Sequence, residues 1–321
     1  MIENLKKYWF LGLVCLILLI GTVFFSKQQI DSTFTGKKVN GKDIVFAIRN
    51  EYVNADEYYE ALKESNAATE LYRLFERTVL SALETSDEIK KQAAEDAKNQ
   101  INYVSSQGSA KLDELEAAII ASGYSGLKEL NILYENQAKL TGLQRTFINN
   151  NIDTVVPEYM NEKSPRIVSQ IFIKMADSSK PNEAELKKLD EVKKALEGGT
   201  SFEDAATTFS DDAQSSGRKG LMGFMDKSTK MDPAFITNAI ATSKGQQSEW
   251  FMSSTGAHLI YVNEDSFEGL IEDDSFVAAL AQFNPSITKQ SVYLASRDLK
   301  VEFTDESLKK TLFEYLEIEV Q

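Results

Sequence analysis

Two apolar runs typical of β-strands, on either side of a mainly helical stretch, constrain the fold of this chain more than any other feature. The first is Ile167–Ile173, and the second is Ala257–Val262, which carries the only histidine, His258. Between the runs, helical spacing of apolar residues begins after Asn182 and again after Ser201. The predicted order is strand, helix, helix, loop, helix, strand, strand. This order indicates a small α+β domain with a mainly antiparallel sheet.

Five short motifs follow one another through the same stretch. They are Ser169–Ile173, Phe209–Asp212, Gly220–Phe224, Met231–Phe235 and Thr255–His258. In this order and at this spacing they resemble the motifs of the parvulin family of peptidyl-prolyl isomerases. A single motif is weak evidence, whereas five in order are a strong signal of the fold. The resemblance covers residues 164–267 and implies a parvulin domain.

The resemblance also implies a site for cis-trans isomerisation of X-Pro bonds, without a covalent intermediate and without a cofactor. An apolar pocket for the proline ring is expected from Met222, Phe224, Met231 and Phe235. A polar wall for the rotating carbonyl, the catalytic part, is expected from His258, Asp212, Gln170 and Thr255, with Ser253 beside it. If the motifs did not occur in this order, the methionines at these positions would be interpreted as ordinary core residues. The histidine would be interpreted as a structural residue.

The sequence departs from the family pattern at two of these positions. Gln170 stands where the family has the first of two paired histidines, and Leu221 stands where it has an aspartate. Because a glutamine side chain both donates and accepts, Gln170 can still orient His258. The phosphate-reading basic loop of some parvulins is also absent, since Gln214–Gly220 offers only Arg218 and Lys219 as basic residues. We therefore predict that substrates need no phosphate.

The regions before and after this domain are predicted to be mostly helical. Helical spacing and capping residues predict helices at Thr69–Ala82, Ser86–Val104, Leu112–Ile119, Ser125–Ile148, Asp153–Met160, Asp274–Gln282, Val292–Asp298 and Leu308–Leu316. A turn and strand over Lys37–Ile48, a helix from Asn54 to about Lys63, and a short strand at Val301–Phe303 complete the pattern. A strand and a helix are too little to fold alone, so the C-terminal segment is expected to pack on the earlier helices.

The N-terminal run Tyr8–Phe25 has no charged residue. Its length lies at the lower end of the roughly 17–25 residues that span a hydrocarbon core. Lys6 and Lys7 precede it, and no small-x-small cleavage site follows Phe25. These features predict an uncleaved single-pass anchor with a cytoplasmic N-terminus and an extracytoplasmic body. The expected outcome is a chain held in the cell membrane.

These predictions define a domain plan. Residues 1–27 form the cytoplasmic stub and anchor, 28–163 a helical region, 164–267 the parvulin-like domain, and 268–321 a segment that returns to the helical region. The parvulin domain is then an insertion in a mostly helical, chaperone-like domain. This layout resembles that of PrsA-type extracytoplasmic foldases and, more distantly, SurA, which implies unfolded exported proteins with X-Pro bonds as partners.

Composition excludes several other functions. The formal net charge is −14, and residues 1–27 are net positive, so the body is strongly acidic. Such a body disfavours nucleic acid and anionic lipid surfaces as partners. With one cysteine, Cys15, an intrachain disulfide is excluded, and with one histidine besides, a zinc site of the usual kind is strongly disfavoured. Homodimerisation stays open.

Two classes of function remain. The first is a membrane-anchored foldase that catalyses prolyl isomerisation. The alternative is a catalytically weak or inactive parvulin-fold chaperone or scaffold that binds unfolded exported chains. A hydrolase has no support, because no nucleophile motif such as Gly-x-Ser-x-Gly is present.

Overall fold

The structure is a computed structural model, and it describes residues 38–39, 41–48, 51–54, 56, 59, 67–303 and 305–317. The chain divides into two compact units, Met1–Leu71 and Tyr72–Gln321. The predicted anchor at Tyr8–Phe25 lies outside the described residues. Within the described part of the chain, no helix combines the length and the apolar character needed to cross a bilayer.

In the first unit, three short strands form an antiparallel sheet in the order β1-β2-β3. These strands are β1 (Lys38–Val39), β2 (Lys42–Ile48) and β3 (Glu51–Asn54). Gly41 lies in the turn between the first two, with φ of +79°, a conformation that glycine adopts without a Cβ penalty. The predicted turn and strand are confirmed, and β3 extends them. Asn54 is the last residue of β3, and most of the helix predicted after it lies outside the described residues.

Helices dominate the chain before the central domain. They are α1 (Ala67–Ala82), α2 (Asp87–Ser106), α3 (Ser109–Ala121), α4 (Leu130–Asn150), α5 (Ile152–Val155) and α6 (Pro157–Lys163). Ser86 caps α2 by accepting a hydrogen bond from the backbone N–H of Ile89, as its position predicted. The helix predicted from Ser125 instead begins as a 3-10 turn at Leu127–Glu129, and Asp153–Met160 divides into two helices, with Pro157 in the first turn of the second.

The central domain is built on a four-stranded antiparallel sheet in the order β5-β4-β7-β6. Its elements are β4 (Arg166–Lys174), α7 (Glu183–Glu197), α8 (Phe202–Phe209), α9 (Ala213–Ser216), β5 (Leu221–Met225), α10 (Pro233–Ala241), β6 (Phe251–Ser253) and β7 (Gly256–Glu264). The α+β prediction is therefore confirmed. Asn182 forms the predicted capping box with Glu185, and Ser201 caps α8.

One element of this domain was predicted as a loop and is a strand. Residues Leu221–Met225 form β5, which pairs with β4 at the edge of the sheet. Gly220 and Gly223 have φ of +84° and +104°, so the local sequence does not favour an extended strand. Pairing with β4 supplies the hydrogen bonds that hold it extended.

The sheet of the central domain has one core on each face. Ile171 and Ile173 of β4 point into a core with Val192 of α7 and Phe202 of α8. Val168 of the same strand points to the opposite face, where Phe235 of α10 covers it. Because side chains alternate along a strand, Gln170 and Phe172 share the face of Val168. This alternation places the polar side chain of Gln170 and the ring of Phe172 on the face that α10 covers.

After the central domain the chain forms four more helices within the described residues. They are α11 (Phe267–Leu270), α12 (Asp274–Phe283), α13 (Ser286–Asp298) and α14 (Glu306–Tyr315). Gln144 of α4 donates to Thr288 of α13 at 2.8 Å, and Arg145 donates to the carbonyl of Ile271 at 2.9 Å. The segment after the sheet therefore packs against α4.

The strand predicted at Val301–Phe303 is wrong: these residues form neither helix nor strand. No neighbouring strand pairs with them among the described residues. Aromatic contacts of one side chain hold this segment in place. The ring of Phe303 lies 6.3 Å from that of Phe75 and 5.9 Å from that of Phe313. Aromatic packing against the middle of α1 replaces the expected backbone pairing.

A further core joins the helices to the sheet. The buried hydroxyl of Tyr159 on α6 donates to Asp226 Oδ2 at 2.8 Å, just after β5. The backbone N–H of Lys227 donates to the carbonyl of Lys163 at 2.9 Å. The Tyr159 ring also lies 5.9 Å from the ring of Phe276 on α12. These contacts fix the edge of the sheet on the helices before and after it.

Candidate functional site

His258 occupies the centre of the sheet. In the register of the sheet it lies opposite Phe172 of β4 and Phe251 of β6. Its ring stacks on both neighbours, with centroid distances of 4.7 Å to Phe172 and 5.3 Å to Phe251. The ring of Phe235 meets it edge-on at 5.8 Å. His258 is therefore enclosed by three aromatic rings, and only 8% of its surface is exposed.

A continuous chain of hydrogen bonds runs through His258. Gln170 Nε2 donates to Asp212 Oδ2 at 2.8 Å, and Gln170 Oε1 lies 3.2 Å from His258 Nδ1. On the other side of the ring, Ser253 Oγ lies 2.7 Å from His258 Nε2. Thr255 Oγ1 lies 2.9 Å from Ser253 Oγ. The structure thus brings together all four residues that the sequence predicted for the polar wall, and Ser253 links two of them.

This chain fixes the protonation of the imidazole. The carboxylate of Asp212 only accepts, so the amide nitrogen of Gln170 faces it and the amide oxygen faces His258. His258 Nδ1 must then carry the proton, and Nε2 accepts from the hydroxyl of Ser253. Burial, the largest effect, lowers the pKa of His258 to about 4, although the charges of Asp232 and Asp212 oppose the decrease. The imidazole is therefore neutral at physiological pH.

Asp212 is the ionised end of the chain. It is the N-cap of the short helix α9, where its Oδ1 accepts from the backbone N–H of Gln214 at 3.1 Å. Its other oxygen accepts from the hydroxyl of Ser215 and from Gln170. Burial acts to raise its pKa, but the hydrogen bonds from Ser215 and Gln170 outweigh that effect, and the pKa is lowered. The carboxylate of Asp212 is therefore charged at neutral pH.

An apolar wall adjoins the polar chain. Met222 of β5 and Met231, just before α10, pack against the cluster that contains the fully buried Phe235. Both methionines are half-buried, so part of each side chain is accessible to solvent. Methionine side chains adapt to the shape of an apolar ligand. Three of the four residues predicted for the proline pocket are thus together.

Phe224, unlike the other predicted site residues, lies away from the pocket to which the sequence assigned it. Its ring lies 6.2 Å from that of Phe276 and packs in the core that joins the sheet to the helices. Gly223, with φ of +104°, separates it from Met222 and breaks the alternation of side chains along β5. Phe224 therefore lies outside the cleft.

Sequence reasoning missed two aromatic residues of the site, Phe172 and Phe251. Neither was predicted as a site residue, although Phe172 lies within the first of the five motifs. The signal that could have identified them is the register of the sheet, since both are directly opposite His258. Ser215, a donor to Asp212, was also missed; its place in the first turn after an aspartate N-cap is the available signal.

The arrangement suits noncovalent chemistry better than hydrolysis. Ser253 and His258 are paired as a nucleophile and a base would be, but Ser253 is itself buried, with 8% of its surface exposed. Its oxygen also accepts from the backbone N–H of Thr255 at 3.1 Å. A histidine whose pKa is lowered to about 4 is a weak base. The cleft offers a neutral polar wall, a carboxylate and an apolar surface.

Comparison with known proteins identifies the class of this domain. Residues 171–264 match the model of the rotamase family, a PPIC-type PPIase domain. The predicted parvulin-type domain and enzyme class are thereby confirmed for these residues. No curated protein sequence matches the chain.

Several solved structures are similar to the chain. PrsA from Bacillus subtilis is 19% identical, with 84% of this chain and 98% of that chain covered and a TM-score of 0.44. The foldase protein PrsA from Streptococcus pneumoniae is 15% identical, with 85% and 99% covered and a TM-score of 0.41. NmPin, the parvuline of Nitrosopumilus maritimus, is 23% identical, with 31% and 95% covered and a TM-score of 0.24.

Proposed function

Residues 171–264 are a PPIC-type peptidyl-prolyl isomerase domain, and from that premise we propose that this chain is a foldase that isomerises X-Pro bonds in exported proteins. One observation carries the proposal. A hydrogen-bonded chain from Asp212 to Thr255 and a half-buried methionine surface lie on the same face of one sheet. That juxtaposition matches the two halves of a prolyl substrate, a polar amide and an apolar ring.

The chemistry follows from the nature of the barrier. Rotation about a peptide bond costs about 18–20 kcal/mol because the planar amide is stabilised by resonance. No bond breaks, so a catalyst needs only to bind the twisted amide better than either planar form. Met222 and Met231, backed by the buried Phe235, hold the proline ring, while the carbonyl on its N-terminal side turns across the polar wall.

The carboxylate of Asp212 supplies part of that preference. Resonance places partial negative charge on the carbonyl oxygen of the planar amide. A fixed negative charge beside that oxygen opposes the resonance and so favours the twisted form. Gln170 holds Asp212 in place and also holds the His258 ring, which forms the floor of the cleft. Because His258 stays neutral, it acts as a positioning residue and not as an acid.

The direct test is an isomerisation assay with the full chain and an unphosphorylated Ala-Pro-Phe peptide. We expect acceleration over buffer, and a loss of about tenfold or more in kcat/KM for Asp212→Asn, which keeps the shape and removes the charge. Asp211→Asn is the matched control, since Asp211 lies next in sequence but pairs with Lys188 at 2.6 Å. No acceleration by the unaltered chain would overturn the proposal.

A chaperone without turnover is the second candidate, and Gln170 favours it. This residue stands where the parvulin pattern has a histidine. In addition, a groove of about 580 Å³ between α2 and α4 offers a separate surface for unfolded chains. The discriminating experiment measures isomerisation and suppression of client aggregation in parallel. Suppression that survives Asp212→Asn, together with no isomerisation by the unaltered chain, would establish the second candidate.

Membrane anchoring and the export of the body are part of the proposal. The uncharged run Tyr8–Phe25 and the preceding Lys6 and Lys7 support a single-pass segment with an extracytoplasmic body. The domain plan follows, with the anchor at 1–27, helices at 28–163, the isomerase domain at 164–267 and the returning segment at 268–321. Membrane fractions washed with alkaline carbonate should retain the chain, and Leu16→Lys with Leu19→Lys should release it.

A further inference from the structure

A small cavity lies between helices α1 and α4, in the part of the chain before the isomerase domain. Its volume is about 240 Å³, below the range of most drug-sized sites. The turn Ser122–Tyr124, at the C-terminal end of α3, closes one side. Such a space holds several water molecules or one small ligand group.

The first observation that points to a ligand is a buried amide in the wall of this cavity. Asn136 has 2% of its surface exposed. Its Nδ2 lies 3.1 Å from Tyr124 Oη and 3.4 Å from Ser81 Oγ, while Oδ1 has no hydrogen-bond partner in the described structure. Leaving a buried amide atom unpaired costs about 1–3 kcal/mol. The two hydroxyls can also donate, so the amide can turn over and present Nδ2 in place of Oδ1.

The second observation is the guanidinium group of Arg77, which forms no close ion pair among the described residues, although the carboxylate of Glu129 lies near enough to interact with its charge. Arg77 donates to the carbonyl of Gly123 and lies 5.9 Å from the centroid of the Tyr124 ring. Within residues 67–303 and 305–317, no carboxylate forms an ion pair with it. Arg73 approaches the same turn, where its Nη1 donates to the carbonyl of Ala121 at 3.3 Å. Two cationic groups therefore meet at one wall of the cavity.

The conformation of Gly123 permits this convergence. Its φ is +89°, and a Cβ there would lie 2.6 Å from Arg73 Nη1 and 3.2 Å from Arg77 Nη1. A side chain at this position would push both guanidinium groups away. The turn is thus shaped for close approach of the two arginines.

One carboxylate, that of Glu76, also lines the cavity. Its Oε2 accepts from the hydroxyl of Tyr72 at 2.7 Å, and burial, against the effect of that hydrogen bond, raises its pKa. Because a raised pKa lowers the ionised fraction of this carboxyl group, it repels a bound anion less than an exposed glutamate would. The rest of the lining contains three apolar side chains, those of Leu80, Leu133 and Leu140, and the polar side chains of Ser122 and Gln137.

We propose that this cavity binds a carboxylate group, held by Arg77 and by Asn136 with its amide nitrogen turned inward. A guanidinium and an amide N–H are both strong donors to a carboxylate. The three leucines leave room for the short apolar stem that carries the carboxylate. The carboxylate comes from an acidic side chain of a peptide or from a small free acid. The site is independent of the isomerase cleft and does not depend on its activity.

Calorimetric titration of the full-length chain tests the proposal with three probes. N-acetylaspartate amide represents an acidic side chain in a peptide, sodium acetate represents a free acid, and N-acetylasparagine amide is the neutral isostere of the first. We expect saturable binding of at least one carboxylate and none of the neutral isostere. Tighter binding of the aspartate probe identifies a peptide source, and tighter binding of acetate identifies a free acid.

Two variants locate the binding. Arg77→Gln and Asn136→Asp should each weaken it about tenfold or more, because one removes the charge and the other replaces the donor by a repelling carboxylate. Arg297→Gln, at an exposed position in the last turn of α13, is the control and should leave it unchanged. Circular dichroism and thermal unfolding verify that the variants are folded. The proposal is overturned by absent binding, by equal binding of the isostere, or by folded variants that bind like the unaltered chain.

Discussion

Gln170 Oε1 lies 3.2 Å from His258 Nδ1, and the same amide donates to Asp212 Oδ2 at 2.8 Å. One glutamine therefore connects a charged carboxylate to a neutral imidazole on the neighbouring strand. The orientation of the amide is set by Asp212, and the tautomer of His258 follows from that orientation. This single side chain determines the hydrogen-bonding pattern of the polar wall.

Replacement of Gln170 by alanine should reduce catalysis without unfolding the domain. Both hydrogen bonds are lost, so Asp212 and His258 lose their shared support, and kcat/KM should fall about five- to tenfold. The measurement is the same peptide isomerisation assay, together with a thermal unfolding curve. Gln282→Ala, at an exposed position on α12, is the control. Unchanged kcat/KM in Gln170→Ala would show that the network does not support the reaction.

The tautomer of His258 can be observed directly, because this chain has no other histidine. In a 15N-labelled sample at neutral pH, Nδ1 should give a protonated, pyrrole-type signal and Nε2 an unprotonated, pyridine-type signal. Ser253→Ala removes the donor at 2.7 Å from Nε2 and should shift the Nε2 signal while leaving Nδ1 protonated. The opposite tautomer in the unaltered chain would contradict the hydrogen-bond chain described here.

Burial of neutral His258 should make stability depend on pH in a defined window. The pKa is lowered from 6.5 to about 4, so the unfolded state binds a proton first as pH falls. The contribution of His258 is complete above pH about 6.5 and declines toward pH about 4, by at most about 3 kcal/mol. The lowered pKa of Asp212 acts in the same direction, so a variant is needed to separate the two.

The measurement is urea unfolding of the unaltered chain and of His258→Gln at several values between pH 7 and pH 4.5. The free energy of unfolding should fall less steeply with decreasing pH in the variant. Parallel curves for the two proteins would show that His258 is not buried as a neutral group. Peptide isomerisation by the unaltered chain should also stay level from pH 8 to pH 5.5, since the imidazole does not change charge there.

Much of this site was predictable because its residues are set by local chemistry and by sheet register. The strands that carry Gln170 and His258 are apolar runs, and an antiparallel pair of such strands places diagonal residues side by side. The helices were predictable from their caps, such as Ser86 and Ser201, whose side chains accept from backbone N–H groups as expected. The order of the sequence motifs then predicted that Asp212 lies on the same face.

The errors share a physical cause, which is that the missing information is tertiary. Val301–Phe303 has strand-like composition but no strand to pair with, and Phe303 is held by aromatic packing instead. β5 has glycines unsuited to an isolated strand and extends only because β4 is beside it. A register shift between Val168 and Ser169 and the left-handed Gly223 then alter which side chains of β5 face the cleft. Simple alternation could not place Phe224.

Comparison of Met231→Ala with Phe224→Ala tests that placement. Met231 is half-buried beside Phe235, so its loss removes apolar contact with the proline ring and should raise KM about tenfold with little change in kcat. Phe224 packs on Phe276 outside the cleft, so its loss should leave KM unchanged and lower the unfolding temperature by several degrees. The assay is peptide isomerisation across a range of substrate concentrations, followed by thermal unfolding of both variants. A raised KM in Phe224→Ala, with Met231→Ala unaffected, would return Phe224 to the pocket and remove Met231 from it.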